Sequence, residues 1–189
     1  TDMVERFDLG DVSKNPAVFD PAKLEWMNGV YLRALAADDF IVRSLPLVEA
    51  DLGRTLDDEE VGRLASVAPL VQERAKLLTE VAPQVRFLFL DEITYDETAW
   101  QKVMVKDDVP SVLREAMDRL SVIPEWTTAA IEEALRAMLE QMELSARKGL
   151  QPLRVAISGS SVSPPLFESM EALGRRATLA RLAGSAARL

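Results

Sequence analysis

Residues 151–159 (QPLRVAISG) and residues 163–168 (SPPLFE) form the stretch around which the fold of this chain is organised. Proline stands near the start of each segment, and glycine and serine residues separate the two. Because proline is favoured in the first turn of a helix and glycine just after the last, this pattern predicts two short helices around a tight loop. The second helix is expected to end at Gly174.

The loop between these two predicted helices carries groups that can hold a ligand. Its backbone N–H groups lie next to Arg154 in the sequence, and an arginine with nearby hydroxyl groups can bind an anion or the edge of a base. The alternative is an ordinary corner between helices that binds nothing. The hydroxyl groups belong to Ser158, Ser160, Ser161 and Ser163.

Apolar residues recur at helical spacing through most of the chain. Two clear examples are Val112, Leu113, Ala116 and Leu120, and then Ile131, Leu135, Met138, Leu139 and Met142. Strand-like alternation is limited to brief runs at residues 86–90 and 155–157. We therefore predict an all-α protein of nine or ten helices in two packed groups, residues 1–90 and residues 91–189, with the boundary near Leu90.

Local signals predict where individual helices begin and end. Asp20 followed by proline is typical of a helix start, and the acidic run at residues 57–60 suits a first turn. Leu24, Met27, Tyr31 and Leu35 then follow at helical spacing. Residues 1–19 are expected to be irregular, with a turn at Asn15 and Pro16. We also expect Pro69 to restart a helix that contains Arg74, and Gly149 to end one.

Composition excludes several kinds of chemistry. The chain of 189 residues contains neither cysteine nor histidine, so it has no disulfide, no Ser-His or Cys-His nucleophile pair and no histidine-ligated metal. No apolar run approaches the roughly 20 residues of a membrane helix, and no signal peptide is evident. Acidic pairs such as Glu132 and Glu133 have no convergent partner in the pattern. We expect a cytoplasmic, membrane-free protein without catalytic residues or metal ligands.

The charge of the chain is uneven. The net charge is −9, which argues against a nucleic-acid partner. From Lys148 onward, however, six basic residues face two acidic ones, so that this part carries +4 and the preceding part −13. This asymmetry indicates a local contact with a polyanion, although cations that complement helix C-termini would give the same pattern.

Two blocks of the sequence resemble the bacterial glutamyl-tRNA synthetases. The C-terminal block is P-L-R-x-A-x-x-G at residues 152–159, S-P-x-L-F-E at residues 163–168 and L-G-R at residues 173–175. The N-terminal block resembles the stretch after the catalytic domain of that family, through Phe7, Asp8, Leu9, Val12, Phe19, Asp20, Lys23, Leu24, Trp26, Met27, Asn28, Gly29 and Tyr31. The two blocks stand in the order and at about the spacing of the family, so the resemblance spans essentially the whole chain.

The resemblance implies a helical cage that recognises tRNA. In that family the first helical part contacts the inner bend of the tRNA, and the second grips the anticodon of glutamate tRNA together with the end of the first. The family ligates glutamate to its tRNA with ATP and magnesium, in a catalytic domain whose histidine-bearing signature and lysine-serine-lysine loop are missing here. The implied protein is a monomer that binds tRNA and not DNA, and no cofactor is expected in this chain.

The resemblance also implies four anticodon-binding residues. Arg74 matches a family arginine that precedes an aromatic-leucine segment and contacts the third anticodon base. Arg154 matches the arginine of P-L-R directly, and Ser163 and Leu166 match positions that pack beside the anticodon bases. From the residues alone, the favoured interpretation of Arg74 is a surface arginine paired with Glu73 or Glu80. The rival function is a non-catalytic protein–protein adaptor with an acidic face.

Overall fold

A computed structural model describes residues 2–8 and 18–189 of the chain. Every regular element in these two ranges is helical, which confirms the all-α prediction. Residues 86–89 and 155–157, whose sequence pattern is strand-like, are helical too. Most of these residues are buried, and in a short buried segment the apolar pattern does not distinguish the period of a strand from that of a helix. The turn predicted at Asn15 and Pro16 lies outside the described residues. No helix within them is long and apolar enough to cross a membrane.

From α2 onward, the helices follow one another with short connections. The first part of the chain contains α1 Asp2–Glu5, α2 Pro21–Ala34, α3 Ala37–Leu52, α4 Asp58–Gln72, a 3₁₀ turn at Leu78–Glu80, α5 Val81–Val85 and a 3₁₀ turn at Arg86–Phe89. The second part contains α6 Glu97–Ala99, a π-helical turn at Trp100–Met104, α7 Val109–Val122, α8 Thr128–Gln141, α9 Ala146–Ser158, α10 Leu166–Leu173 and α11 Arg175–Arg188.

Side-chain caps fix several helix starts where the sequence predicts them. The Asp20 carboxylate accepts hydrogen bonds from the backbone N–H groups of Ala22 and Lys23, at 3.0 and 3.2 Å. Asp57 and Glu60 form a reciprocal capping box at the start of α4, with N···O distances of 2.9 and 3.2 Å. Each cap satisfies N–H groups that have no partner within the helix.

Two helix breaks that the sequence predicts, at Pro69 and at Gly149, are wrong. α4 runs through Pro69 to Gln72, because Ala68 and Val71 are buried on both sides of the proline and packing offsets the lost backbone hydrogen bond. Arg74 consequently lies in the turn after α4 and not within a helix.

Gly149 lies inside α9 and does not end a helix. The chain reverses earlier, at Glu143 with φ of +53°, and Ser145 caps the new helix. A Cβ on Gly149 would lie 2.1 Å from Cδ2 of Leu139. The glycine therefore lets α9 approach α8 closely. From the sequence alone, a glycine required for packing cannot be distinguished from a glycine that ends a helix.

α7 lies at the centre of the second group, where it packs against α8, α9 and α11. The residues predicted to face inward on α7 are completely buried, as are Ile131, Leu135 and Met138 on α8. α2 differs, because Leu24, Met27 and Tyr31 remain exposed while Gly29 and Leu32 face the protein. The spacing on α2 thus identifies an apolar face that no described residue covers.

The helices before and after Leu90 are in direct contact. α10 packs on α4, and α9 packs on the 3₁₀ turn Arg86–Phe89. The buried Arg181 side chain of α11 donates to the carbonyls of Phe87 and Leu90, at 2.9 and 2.6 Å, and to that of Ile157 at 2.7 Å. Burial lowers the pKa of Arg181, and its charge is solvated by these carbonyls.

Candidate nucleic-acid interface

The loop between α9 and α10 is held in place by Gly159. This residue ends α9 with φ of +75°, a conformation that favours glycine. Its carbonyl accepts a hydrogen bond from the backbone N–H of Asp96 at 2.8 Å. A Cβ at this position would lie 2.2 Å from the carbonyl oxygen of Thr94. The corner predicted from the sequence is present, and its position is set by the segment before α6.

Arg154 holds this loop from the side of α9. Its Nη1 donates to the carbonyls of Ser163 and Pro164, at 3.1 and 2.6 Å, and to the Ser163 hydroxyl. A guanidinium has five N–H donors, and within the described chain nothing accepts a hydrogen bond from Nη2 or Nε of Arg154. One edge of the guanidinium is therefore structural, and the other remains unpaired.

Arg74 lies close to Arg154 although the two residues come from different halves of the sequence. Burial is the main cause that lowers the pKa of Arg154, and the positive charge of Arg74 lowers it further. The Arg74 side chain is exposed and has no hydrogen-bond or ion-pair partner among the residues that the structure describes. Glu80, one of its conceivable partners, instead accepts from the backbone N–H of Lys76 at 2.8 Å.

The other two predicted site residues lie beneath the surface. Ser163 is 7% exposed and Leu166, the first residue of α10, is 4% exposed. The Ser163 hydroxyl is fixed between the Arg154 guanidinium and the carbonyl of Pro164. The structure thus brings together two arginine charges and, below them, two buried side chains that support the loop.

Two neighbours of Arg154 do not stand out in the sequence. Oε1 of Gln151 and Oε2 of Glu168 are buried and have no hydrogen-bond partner in the described part of the chain. Gln151 precedes Arg154 by three positions on α9, and the Glu168 charge raises the pKa of Arg154. Buried polar atoms are usually paired, so two unpaired ones near Arg154 make this corner a candidate ligand site. Helical spacing could have identified Gln151, whereas the position of Glu168 depends on how α10 packs.

A known sequence family matches most of the chain, including this corner. The sequence model of the anticodon binding domain matches residues 35–185. The chain belongs to the anticodon binding domain family. This assignment confirms the resemblance found in the sequence, and the match spans both α4 and the α9–α10 corner. Within the described residues, this anticodon binding domain has no group of three or more acidic, histidine or cysteine residues that could hold a metal ion.

Relatives of this anticodon binding domain are much longer proteins. A glutamate–tRNA ligase of Acidothermus cellulolyticus is 45% identical over 191 residues, which cover 98% of this chain and 38% of the relative. One of Saccharopolyspora erythraea is 43% identical over 185 residues, which cover 96% of this chain and 37% of the relative. The chain therefore spans a little over a third of the length of the curated relatives that it matches.

A solved structure shares the fold of this anticodon binding domain. The crystal structure of a glutamate tRNA ligase from Elizabethkingia meningosepticum in complex with its amino acid has a TM-score of 0.80 and 24% sequence identity. The similarity covers 99% of this chain and 36% of that one. The helical arrangement is thus the one found in that ligase.

Proposed function

We propose that this domain binds the anticodon of glutamate tRNA as part of a glutamate–tRNA ligase. The observation that carries the proposal is the match of the anticodon binding domain model to residues 35–185, and the effect of the Arg74 charge on Arg154 at the α9–α10 corner supports it. The names of the relatives indicate which enzyme is involved, and the matching family indicates the kind of ligand. Under this proposal the protein acts in the cytoplasm as a monomer, and ATP and magnesium are used in a part of the ligase outside this chain.

The chemistry of the corner suits single-stranded RNA. Anticodon bases are unpaired in the loop of a tRNA, so their Watson–Crick edges are free to accept and donate hydrogen bonds. The unpaired N–H groups of Arg154 and the free guanidinium of Arg74 are planar donors for such edges or for phosphates. The proposed roles of Ser163 and Leu166 are to fix Arg154 and the start of α10 beside the bases.

We further propose that the two helical parts have distinct roles. Residues 1–90 would contact the inner bend of the tRNA, and residues 91–189 would hold the anticodon. Arg74 lies near the end of the first part and beside Arg154 of the second, which supports a shared anticodon site. The hydrogen bonds of Arg181 keep the two parts in one arrangement.

Replacing Arg74 by alanine in the full-length ligase tests the proposal. Because the Arg74 side chain has no partner within the described chain, the substitution should leave folding unchanged. A charge-assisted hydrogen bond contributes about 1–3 kcal/mol, so kcat/KM for glutamate tRNA should fall about 5- to 150-fold. The change should appear in KM for tRNA, while glutamate and ATP binding stay as before.

Transfer RNAs that differ at one anticodon base show whether the contact reads sequence. We expect Arg74→Ala to reduce the preference for the cognate anticodon, since base contacts discriminate and phosphate contacts do not. Arg43→Ala is the matched control, because Arg43 is another exposed arginine without a partner in the described chain, on α3. If Arg74→Ala kept the full preference for the cognate anticodon, the proposed base-reading role of Arg74 would be wrong.

A further inference from the structure

A second basic region lies next to the proposed anticodon site. It is a cavity of about 760 Å³ between the segment at residues 102–109 and the first half of α9. Four exposed cations line it, two from each segment. They are Lys102, Lys106, Arg147 and Lys148.

These four cations are free to meet a ligand. None of them forms an ion pair with a carboxylate of the described chain, and Asp108 is the one acidic residue among those that line the cavity. The lining therefore carries a local charge of +3 in a protein whose net charge is −9. Such a concentration of like charge, held in a concave surface, attracts an anionic partner.

The orientation of α9 adds to the positive electrostatic potential of this cavity. Ser145, which also lines the cavity, caps the N-terminus of α9, so the positive end of a 13-residue helix points toward the same space. Backbone N–H groups at a helix N-terminus bind phosphate well, and here they act together with four side-chain charges.

The cavity extends along α9 as far as Gln151, one helical turn before Arg154. Arg147, Gln151 and Arg154 are spaced at i, i+4 and i+7, which places them in a row on that face. The row is about 10 Å long at 1.5 Å per residue. Ser161, which lines the cavity, belongs to the loop that Arg154 holds through Ser163. A strand that leaves the corner along α9 would pass into the cavity.

We propose that this cavity binds the phosphate groups of the RNA strand that flanks the anticodon. The inference rests on the proposed function, and it assigns base contacts and backbone contacts to different residues. Arg74 and Arg154 contact the bases, whereas the lysines of the cavity contact the backbone. Phosphate contacts fix position and register but are blind to sequence.

The test is a double variant, Lys102→Ala with Lys106→Ala, in the full-length ligase. Dissociation constants for glutamate tRNA are measured from about 0.05 to about 0.5 M salt, where phosphate contacts set the slope. For each phosphate that the variant no longer neutralises, the slope of log affinity against log salt should fall by about 0.7–1. A slope change of 1 corresponds to binding that is about tenfold weaker at 0.1 M salt.

The control removes the same charge elsewhere. Arg114→Ala with Arg176→Ala deletes two exposed arginines without partners in the described chain, on α7 and α11, neither of which lines the cavity. We expect this control to keep the salt slope of the wild-type enzyme. An equal decrease of the slope in both double variants would overturn the proposal, because the effect would then come from net charge alone.

The anticodon variants separate this proposal from the function on which it rests. The lysine variant should weaken binding by the same factor for cognate and altered anticodons, and a factor that depends on the anticodon would overturn the phosphate role. If Arg74→Ala leaves anticodon preference intact while the lysine variant reduces the slope, the base-reading proposal fails and the phosphate site remains. An unchanged slope in the lysine variant refutes the phosphate site and leaves the anticodon proposal standing.

Discussion

At the scale of single residues, Gly159 shows how one position fixes the candidate site. Replacing it with alanine places a Cβ 2.2 Å from the carbonyl oxygen of Thr94 and forces alanine to adopt φ of +75°. We expect Gly159→Ala to lower the free energy of unfolding by about 2–4 kcal/mol, from the steric clash and the left-handed conformation together. Urea denaturation measures the change.

Gly53 provides the control for this prediction. It ends α3 with φ of +70°, and a Cβ at this position would have no atom of the described chain within 4 Å. Gly53→Ala should therefore cost only about 1 kcal/mol, from the backbone conformation alone. Equal decreases in stability in the two variants would show that the clash with Thr94 is relieved by a shift of the chain.

A second residue-scale prediction concerns Glu60 and pH. Two hydrogen bonds of 2.6 Å from Arg54 lower the pKa of Glu60 below its ordinary value. The unfolded chain therefore holds a proton on Glu60 up to a higher pH than the folded one. The ionised Glu60 therefore contributes its full stabilisation above about pH 4.5, the ordinary pKa of this carboxyl in the unfolded chain. This contribution is lost as the pH falls through the lower pKa that Glu60 has in the folded protein.

Glu60→Gln should lower the free energy of unfolding at pH 7 and flatten its decline below about pH 4.5. Glutamine can still serve in the capping box with Asp57, so the substitution isolates the charge. Glu59→Gln is the control, since the Glu59 side chain is 85% exposed in its ion pair with Arg63. Denaturant titrations between about pH 3 and pH 7 give the comparison, and parallel curves for wild type and Glu60→Gln would contradict the expected linkage.

At the scale of helices, Arg181 attaches α11 to elements on both sides of Leu90. Arg181→Met keeps an unbranched apolar side chain but removes the guanidinium, and so leaves the carbonyls of Phe87, Leu90 and Ile157 without their donor. We expect a decrease of roughly 2–4 kcal/mol in the free energy of unfolding, because unpaired buried carbonyls outweigh the relief of a buried charge. Thermal or urea unfolding measures it.

Arg176→Met on the same helix is the matched substitution. Arg176 is exposed and makes no hydrogen bond or ion pair with a described residue, so its replacement should change stability by less than about 0.5 kcal/mol. If Arg181→Met were equally mild, the three carbonyls would have found other partners, and α11 would not depend on this side chain.

The sequence predicts helix boundaries in this protein where the interaction that fixes the boundary is itself local. Asp20, Asp57 and Asp96 all cap helices through their own carboxylates, a local interaction that needs no knowledge of the rest of the fold. Pro69 and Gly149 look like breaks locally, yet buried neighbours in α4 and the contact with Leu139 decide their role. Tertiary packing overrides a local signal at both positions.

The same distinction holds for the candidate site. The α9–α10 corner follows from prolines and glycines that are close in sequence, and Arg154 lies within it. Arg74 is identifiable only through the family resemblance, since nothing local places it beside Arg154, 80 positions away. Gln151 lies one helical turn before Arg154 and could have been identified by its spacing, whereas the position of Glu168 depends on how α10 packs on α9.

At the scale of the whole molecule, charge is arranged by the fold and not by position in the chain. The sequence divides at Lys148 into an acidic part and a basic part. Lys102 and Lys106 belong to the acidic part, yet they line one cavity with Arg147 and Lys148. A net charge of −9 thus coexists with a basic surface, because folding collects unpaired cations from two distant segments.

The closeness of Arg74 and Arg154 has a consequence for the evolution of this domain. Two like charges repel each other, and the positive charge of Arg74 adds to the lowering of the Arg154 pKa that burial causes. Arg74 makes no hydrogen bond or ion pair in the described structure that offsets this repulsion. Under the proposed function, the pair would be kept for its ability to hold an anionic ligand, at some cost in the stability of the protein without RNA.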